Sequence, residues 1–337
     1  MATITGFTGA QSMDWLDINA DGVPEVAIGD DGPAQVFRYA DGAFSSIWTE
    51  PTPGACTSVG WAFVNGDSYP DLGVAHCTGG PARVFLGSAT GLAATAGWTA
   101  PQNQWTIALS WGDLNGDGAP DLLLPNLSNL GPASRIYLGG DGTLADTHAW
   151  EDPLSLRGAC AAWADIDGDG DDDLALSAAL KLGGTGDGGI HVWRNDAGTP
   201  THIWSDTSQQ GLEPRCPAWV DFDGDGELDL FHAVAEGESR IYALKDGEPS
   251  DTILWRGPAA THGAWADADG DGRKDLALAF ANAPNRILKN TGGTLVPLWD
   301  SSESEDSRRV TFVPWSGQPG PNLAVLSRES VRVYACR

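Results

Sequence analysis

The stretch WADIDGDGDDDLALS, residues 163–177, sets carboxylates at Asp165, Asp167, Asp169, Asp171 and Asp173, every second position. Like charges this close repel, so a folded form needs either full solvation or a hard cation that gathers the oxygens. The spacing favours the cation. Oxygens at positions 1, 3 and 5, a glycine at 6 (Gly170), a backbone carbonyl at 7 and a carboxylate at 9 can converge on calcium, as in the first half of an EF-hand loop. An EF-hand also needs Glu at position 12 and a helix on each side. Here position 12 is Leu176, and the flanking CAAWA and LALS have the length and character of strands. The pattern predicts a nine-residue calcium loop joining two strands.

The same register recurs in WLDINADGVPEVAIG from Trp15, WGDLNGDGAPDLLLP from Trp111, WVDFDGDGELDLFHA from Trp219 and WADADGDGRKDLALA from Trp265. The expected ligands, with position 7 contributing its carbonyl, are Asp17, Asn19, Asp21, Val23 and Glu25 in the first loop, and Asp113, Asn115, Asp117, Ala119 and Asp121 in the next. The remaining sets are Asp165, Asp167, Asp169, Asp171 and Asp173; Asp221, Asp223, Asp225, Glu227 and Asp229; and Asp267, Asp269, Asp271, Arg273 and Asp275. About five calcium ions are expected, in a structural role, because each loop supplies at least five oxygens of its own. Two further copies keep the frame and lose the ligands. WAFVNGDSYPDLGVA has Phe63 at position 1, and FVPWSGQPGPNLAVL has Pro314, Ser316, Gln318 and Asn322 in the ligand slots.

These loops must be held by a repeating scaffold. The seven first-ligand positions fall 46 to 56 residues apart, a period that indicates a propeller or solenoid. After each loop comes an apolar strand (DLLLP, DLALS, DLALA), then a strand such as RVFLG at 83 or RIYLG at 135, then a Gly-rich turn and a segment ending on Trp48, Trp98, Trp150, Trp204, Trp255 or Trp299. With the strand before the loop this makes four strands per repeat, the content of one propeller blade. The last repeat stops after its third strand, VRVYACR, while MATITGFTGA at the start aligns with a fourth strand and puts Phe7 in the Trp slot. The expectation is an all-β, seven-bladed β-propeller of four-stranded blades, a single domain over 1–337, in which the N-terminal strand at about 1–10 completes blade seven and removes an open edge.

The repeats resemble the FG-GAP or VCBS repeats of the integrin alpha-chain propeller and its bacterial and fungal relatives, and the resemblance covers essentially the whole chain. It implies a seven-bladed propeller with calcium in the hairpins between the first two strands of a blade. It does not imply one activity, since such relatives include adhesion receptors, sugar-binding lectins and propellers attached to enzymes. The WRVEKH-like and NNGNGTF-like stretches of the fungal propeller lectin are absent, so its sugar site does not carry over.

Charge excludes some partners. The formal net charge is −27, and the ligand positions of the five loops hold twenty of the 46 acidic side chains, so five divalent cations would leave about −17. That argues against nucleic acid or an anionic membrane as partner. No apolar run is long enough for membrane insertion. MATITGFTGA is needed as a strand, so a leader is not expected within these residues. Calcium loops of this kind suit extracellular concentrations, which places the protein outside the cell or on its surface, as a monomer or weak oligomer.

Twelve of the fifteen Trp residues fall in two repeated slots, six just before the loop and six ending the fourth strand. Repetition points to packing, with the Trp of one inner strand resting on the small residues of its neighbour. Trp193 matches Phe85 and Tyr137 in a core slot, which leaves Trp105 and Trp315 as candidate ligand platforms. The calcium loops and short Gly-rich turns belong to one face of the disc. The longer connections TEPTPGAC, APQNQW, EDPLSLRG, SDTSQQGLEPR and SAALKLGGTGDGG belong to the other, where ligand residues are expected; His76, Arg157, Arg215 and His262 join the two Trp residues as candidates. Cys56 and Cys77 flank the second hairpin and suit a cross-strand disulfide or two free thiols. Cys160 and Cys216 share one slot in adjacent blades with His262 next in series, a poor match to zinc spacing. No GxSxG, HExxH or phosphate loop occurs, so no catalytic residue is assigned. The expected function is a carbohydrate-binding lectin acting on a glycan or glycoprotein surface. A protein-binding adhesion module is the alternative, and a polysaccharide lyase or hydrolase using His76, His262, Arg309 and Arg157 the second.

Overall fold

The computed structural model describes residues 2–335 apart from 52–53, 79, 103–104, 128–132, 181–187, 210–211 and 316–319. Every regular element among them is a β-strand, and all strand pairings are antiparallel up-and-down meanders. Five blades are separate four-stranded sheets; blade four, for example, runs Arg157–Ala164, Asp173–Ala179, Gly189–Asn195 and Pro200–Asp206 from the inside outward. The closing strand Ala2–Thr5 pairs with Ser330–Ala335, with Ala2 opposite Val333, so the chain's first strand becomes the outer strand of blade seven. Seven blades result.

Blades six and seven depart from the separate-sheet pattern. The strand Leu295–Val313 serves as the outer strand of blade six and continues as the inner strand of blade seven, merging the two into one seven-stranded sheet. The cause is legible in WDSSESEDSRRVTFV, which contains no Gly or Pro to turn the chain between Trp299 and Val313.

The core lies between blades. Second strands are buried on both faces, as in Glu25–Gly29, Asp121–Leu124 and Asp275–Ala279, which explains why they read as continuous apolar runs. One such layer joins Ala27 and Val36 of blade one to Val59, Trp61, Leu72, Val74 and Phe85 of blade two. The outer Trp slot meets the third-strand aromatic of the next blade edge to face: Trp48–Phe85 at 5.1 Å, Trp98–Tyr137 at 5.2 Å, Trp150–Trp193 at 5.8 Å, Trp204–Tyr242 at 5.0 Å and Trp299–Tyr334 at 5.2 Å. Phe7 closes the ring against Phe37 at 5.8 Å. The inner Trp slot leans on the preceding blade. Trp111 Nε1 donates to the Gly60 carbonyl at 3.1 Å and Trp219 Nε1 to that of Ala162 at 3.4 Å, while a Cβ on Gly112 would strike the Trp163 ring at 2.3 Å. Repeated Trp residues are therefore the fasteners between blades.

Candidate functional site

The acidic loops share one internal geometry. Position 1 caps the turn: Asp17, Asp113, Asp165 and Asp267 each accept the backbone N–H groups of positions 5 and 6, at 2.7 to 3.2 Å. Position 5 accepts the N–H of position 7, as in Asp21 with Val23 at 2.8 Å and Asp271 with Arg273 at 3.0 Å. Glycine at position 6 is required, since Gly22, Gly118, Gly170, Gly226 and Gly272 all lie at φ between 81° and 98°. The Gly-rich turn of the next blade packs on the loop. A Cβ on Gly247 would sit 2.7 Å from Asp167 Cβ, and Asn195 and Asn290 give their side-chain N–H to the Leu114 and Phe222 carbonyls of the preceding blades at 2.6 and 2.8 Å; within blade four itself, Ala197 N–H donates to Asp171 at 2.8 Å. Loops and short turns thus occupy the same face.

The donor set fits a hard dication. Carboxylate oxygens of Asp165, Asp167 and Asp173 lie within 4.8 Å of one another, as do those of Asp221, Asp223 and Asp225, and of Asp267, Asp269 and Asp271. In blades one and three, Asn19 and Asn115 turn their amide nitrogens to Asp21 and Asp117 at 3.0 and 2.9 Å. A half-turn of each amide would bring its oxygen to the same point. Ser316 and Gln318 of the seventh loop lie outside the described residues.

Two features of these loops were missed in the sequence. The position 9 carboxylate is enclosed and bridges two strands. Asp121, Asp173, Asp229 and Asp275 accept the N–H of position 2 and that of a residue at the end of the third strand, as Asp173 does from Ile166 at 2.8 Å and Asn195 at 2.7 Å. Asp71 does the same in blade two, where the first ligand is gone; its retention there was the available signal. Burial pushes Asp121, Asp173 and Asp229 up to about 6 against the pull of those N–H groups, and neighbouring carboxylates add to the rise. The second feature is a basic side chain one residue past the large third-strand core residue (Phe37, Trp193 or Leu288), visible in VFRY, VWRN and ILKN. Arg38 pairs with Glu25 at 2.6 Å, Arg194 approaches Asp167 at 3.9 Å, and Lys289 sits on Asp269 and Asp271.

Five of the candidate ligand residues scatter on the opposite face, while Trp315 lies in the seventh loop, on the acidic-loop face. His76 is fully buried, with Nε2 on Glu50 at 3.1 Å and Nδ1 on the Pro81 carbonyl at 3.0 Å; Arg83 completes the cluster, so His76 is withdrawn as a ligand residue. Arg157 spends its guanidinium on the Leu127 and Leu180 carbonyls. Trp315 is half-buried and packs on Tyr39 at 5.2 Å and on the core between blades seven and one. Trp105 differs. It is 61% exposed, and its loop is held by the Leu127 N–H on the Trp105 carbonyl at 3.0 Å and a Thr106–Asn126 bridge. Arg215 and His262 come together at the axis, in a cavity of about 260 Å³ between the starts of the inner strands.

Cys160 and Cys216 line the same cavity and are joined by a disulfide, with Cα atoms 4.9 Å apart, which removes them as zinc ligands. Cys77 is a free thiol, so the cross-strand disulfide does not form; the strand register sets Cys56 opposite His76. The Cys56 side chain lies outside the described residues.

The family model of the FG-GAP-like repeat matches residues 17–74, 64–124 and 179–232. No curated protein matches the chain in sequence. Among solved structures, BBS1N, determined in complex with ARL6DN, superposes with a TM-score of 0.68 at 12% identity, covering 99% of this chain and 94% of that one. The Cps50 (Swd1) β-propeller domain of Myceliophteria thermophila gives 0.66 at 12% identity, covering 99% and 98%. At such identity the likeness is one of fold.

Proposed function

From the premise that this chain is a β-propeller of the FG-GAP type, we propose that it is a calcium-stabilised binding module that holds a glycan on the face opposite the acidic loops. The observation that carries the reading is Trp105. An indole 61% exposed on an anchored loop is costly to leave in water and suits stacking on the apolar face of a sugar ring. The acidic loops have the reverse character. Their carboxylates cap backbone N–H groups within the hairpins, and calcium bound there would tie a blade's first two strands together with few coordination positions left for a ligand. Calcium is therefore assigned to stability and the opposite face to recognition. The Cys160–Cys216 disulfide supports an oxidising, extracellular setting, where calcium is abundant.

A glycan array probed with and without calcium, using the parent and Trp105→Ala, tests the reading. Binding that the substitution removes supports it; an array with no bound glycan in either condition turns the assignment to a protein ligand. That second reading has one observation in its favour, a propeller neighbour of the same architecture solved with a protein partner. We read the module as non-catalytic, and turnover of a polysaccharide by the purified protein would overturn that.

A further inference from the structure

We propose that the axial cavity on the face opposite the acidic loops is a separate binding site for a small hydroxy acid of monosaccharide size, its carboxylate on the arginines and a hydroxyl on His262. The inference goes beyond the glycan reading and does not depend on Trp105.

The cavity is a cationic island in a chain of net charge −27. It holds about 260 Å³ and is lined by the Cys160–Cys216 disulfide, Arg215, His262, Arg308 and Arg309. Arg215 and Arg308 each have an acidic neighbour that leaves part of the guanidinium fork unused. Arg215 Nη2 pairs with Glu213 and Arg308 Nη2 with Asp306 at 3.0 Å, yet the Nε–H of both is buried without a hydrogen-bond partner among the described residues. Arg309 donates Nε–H to the Gln11 carbonyl at 3.3 Å and faces Asp14, whose carboxylate is held by the Trp61 and Trp15 N–H groups at 2.8 and 2.9 Å. A buried donor without a partner costs free energy that a bound acceptor returns. Guanidinium forks match a carboxylate in shape and charge.

His262 supplies the second half of the recognition. The Val310 backbone beside the ring favours a protonated nitrogen, and with Nδ1 unpartnered the proton of the neutral ring is assigned to Nε2. Nδ1 is buried without a partner, and burial together with the Arg309 and Arg215 charges holds the ring neutral. A neutral ring in this tautomer leaves Nδ1 with a lone pair, which accepts from a hydroxyl and repels a carboxylate. The ligand therefore needs an anionic group and a hydroxyl. Its charge is set by the surroundings: the strongly acidic chain repels a polyanion, and a single carboxylate on a neutral polyol suffers least.

Isothermal titration with galacturonate, galactose, propionate and sulfate tests the site, using the parent, Arg215→Gln, Arg308→Gln and His262→Phe, each checked by thermal melting. The expected result is saturable galacturonate binding at least tenfold tighter than galactose, propionate or sulfate. Either Arg→Gln change should weaken galacturonate tenfold or more. His262→Phe should bring galacturonate and propionate to equal affinity. Equal binding of galacturonate and galactose, or Arg variants that bind like the parent, would overturn the proposal. Sulfate binding as tightly as galacturonate would overturn it too, by reducing the site to an unselective anion hole. Galacturonate binding by a parent protein that captures no array glycan would leave this site standing and remove only the glycan reading.

Discussion

Asp71 separates the work of the loop fold from the work of the metal. In blade two, Asp71 Oδ2 accepts the Val64 N–H at 2.8 Å and the Asn65 N–H at 3.2 Å, while Oδ1 accepts that of Gly87 at 2.7 Å. The side chain is fully buried, and Phe63 in the first slot leaves this loop without a cation site of the expected kind. Asp71→Ala strands three N–H groups. At about 1–3 kcal/mol for each donor left unsatisfied, with the Asn65 end open to water, the loss is about 3–5 kcal/mol. Urea unfolding followed by Trp fluorescence reads this as a fall in midpoint of about 1 M or more if m is about 3 kcal/mol/M. The loss must be the same in calcium and in chelator. Asp173→Ala in blade four, which strands the Ile166 and Asn195 N–H groups, should cost a similar amount in chelator and more in calcium, because the variant also forfeits an ion. An Asp71→Ala protein as stable as the parent, or one whose loss appears only in calcium, would refute the position 9 staple.

Removing calcium with a chelator should lower the melting temperature by about 20 °C, taking about 2.7 kcal/mol for each of five sites held at a hundred times its dissociation constant and an unfolding entropy of about 0.7 kcal/mol/K for 337 residues; differential scanning calorimetry reads the shift. Replacing both Cys160 and Cys216 with Ser, or reducing the bond, should destabilise by about 4 kcal/mol for a crosslink spanning 56 residues, seen in the same urea titration. Burial without an Nε2 partner holds His232 down at about 4, below its usual 6.5, so the unfolded chain binds the extra proton between those values and stability falls as pH drops from 6.5 to 4. His232→Phe should remove about 3 kcal/mol of that acid loss, measured as the difference in urea midpoints at pH 7 and pH 4.5.

The repeat made most of the architecture readable. Seven copies of one register disclosed the blade count, the loop that joins each blade's first two strands, the Phe7 closure and the packing role of the repeated Trp residues, because each rests on a local pattern read several times over. What escaped depends on contacts between repeats or on single departures from them. The continuous strand Leu295–Val313 arises from a missing turn signal, which an alignment of repeats hides. The Cys160–Cys216 disulfide needs two inner strands brought side by side at the axis, a distance that a spacing of 56 residues does not express. His76 is expected among the ligand residues of the variable face, yet its strand carries it inward to Glu50. The acidic pattern explains position 9 as an ion ligand and so hides its second role, although Asp71 keeps the residue where the ion pattern has lapsed. The ligand face was located by loop length alone, and the cavity there appears only once inner strands of several blades converge.

The central claim is a division of labour between faces, and one titration addresses it. The glycan selected on the array is titrated into calcium-loaded parent, Trp105→Ala and Asp165→Asn protein below the melting temperature of each. Trp105→Ala should abolish binding with its melting temperature unchanged, while Asp165→Asn should melt earlier and bind with the parent's affinity. Loss of glycan affinity in Asp165→Asn with Trp105→Ala unaffected would place the ligand on the acidic loops and overturn the division of labour.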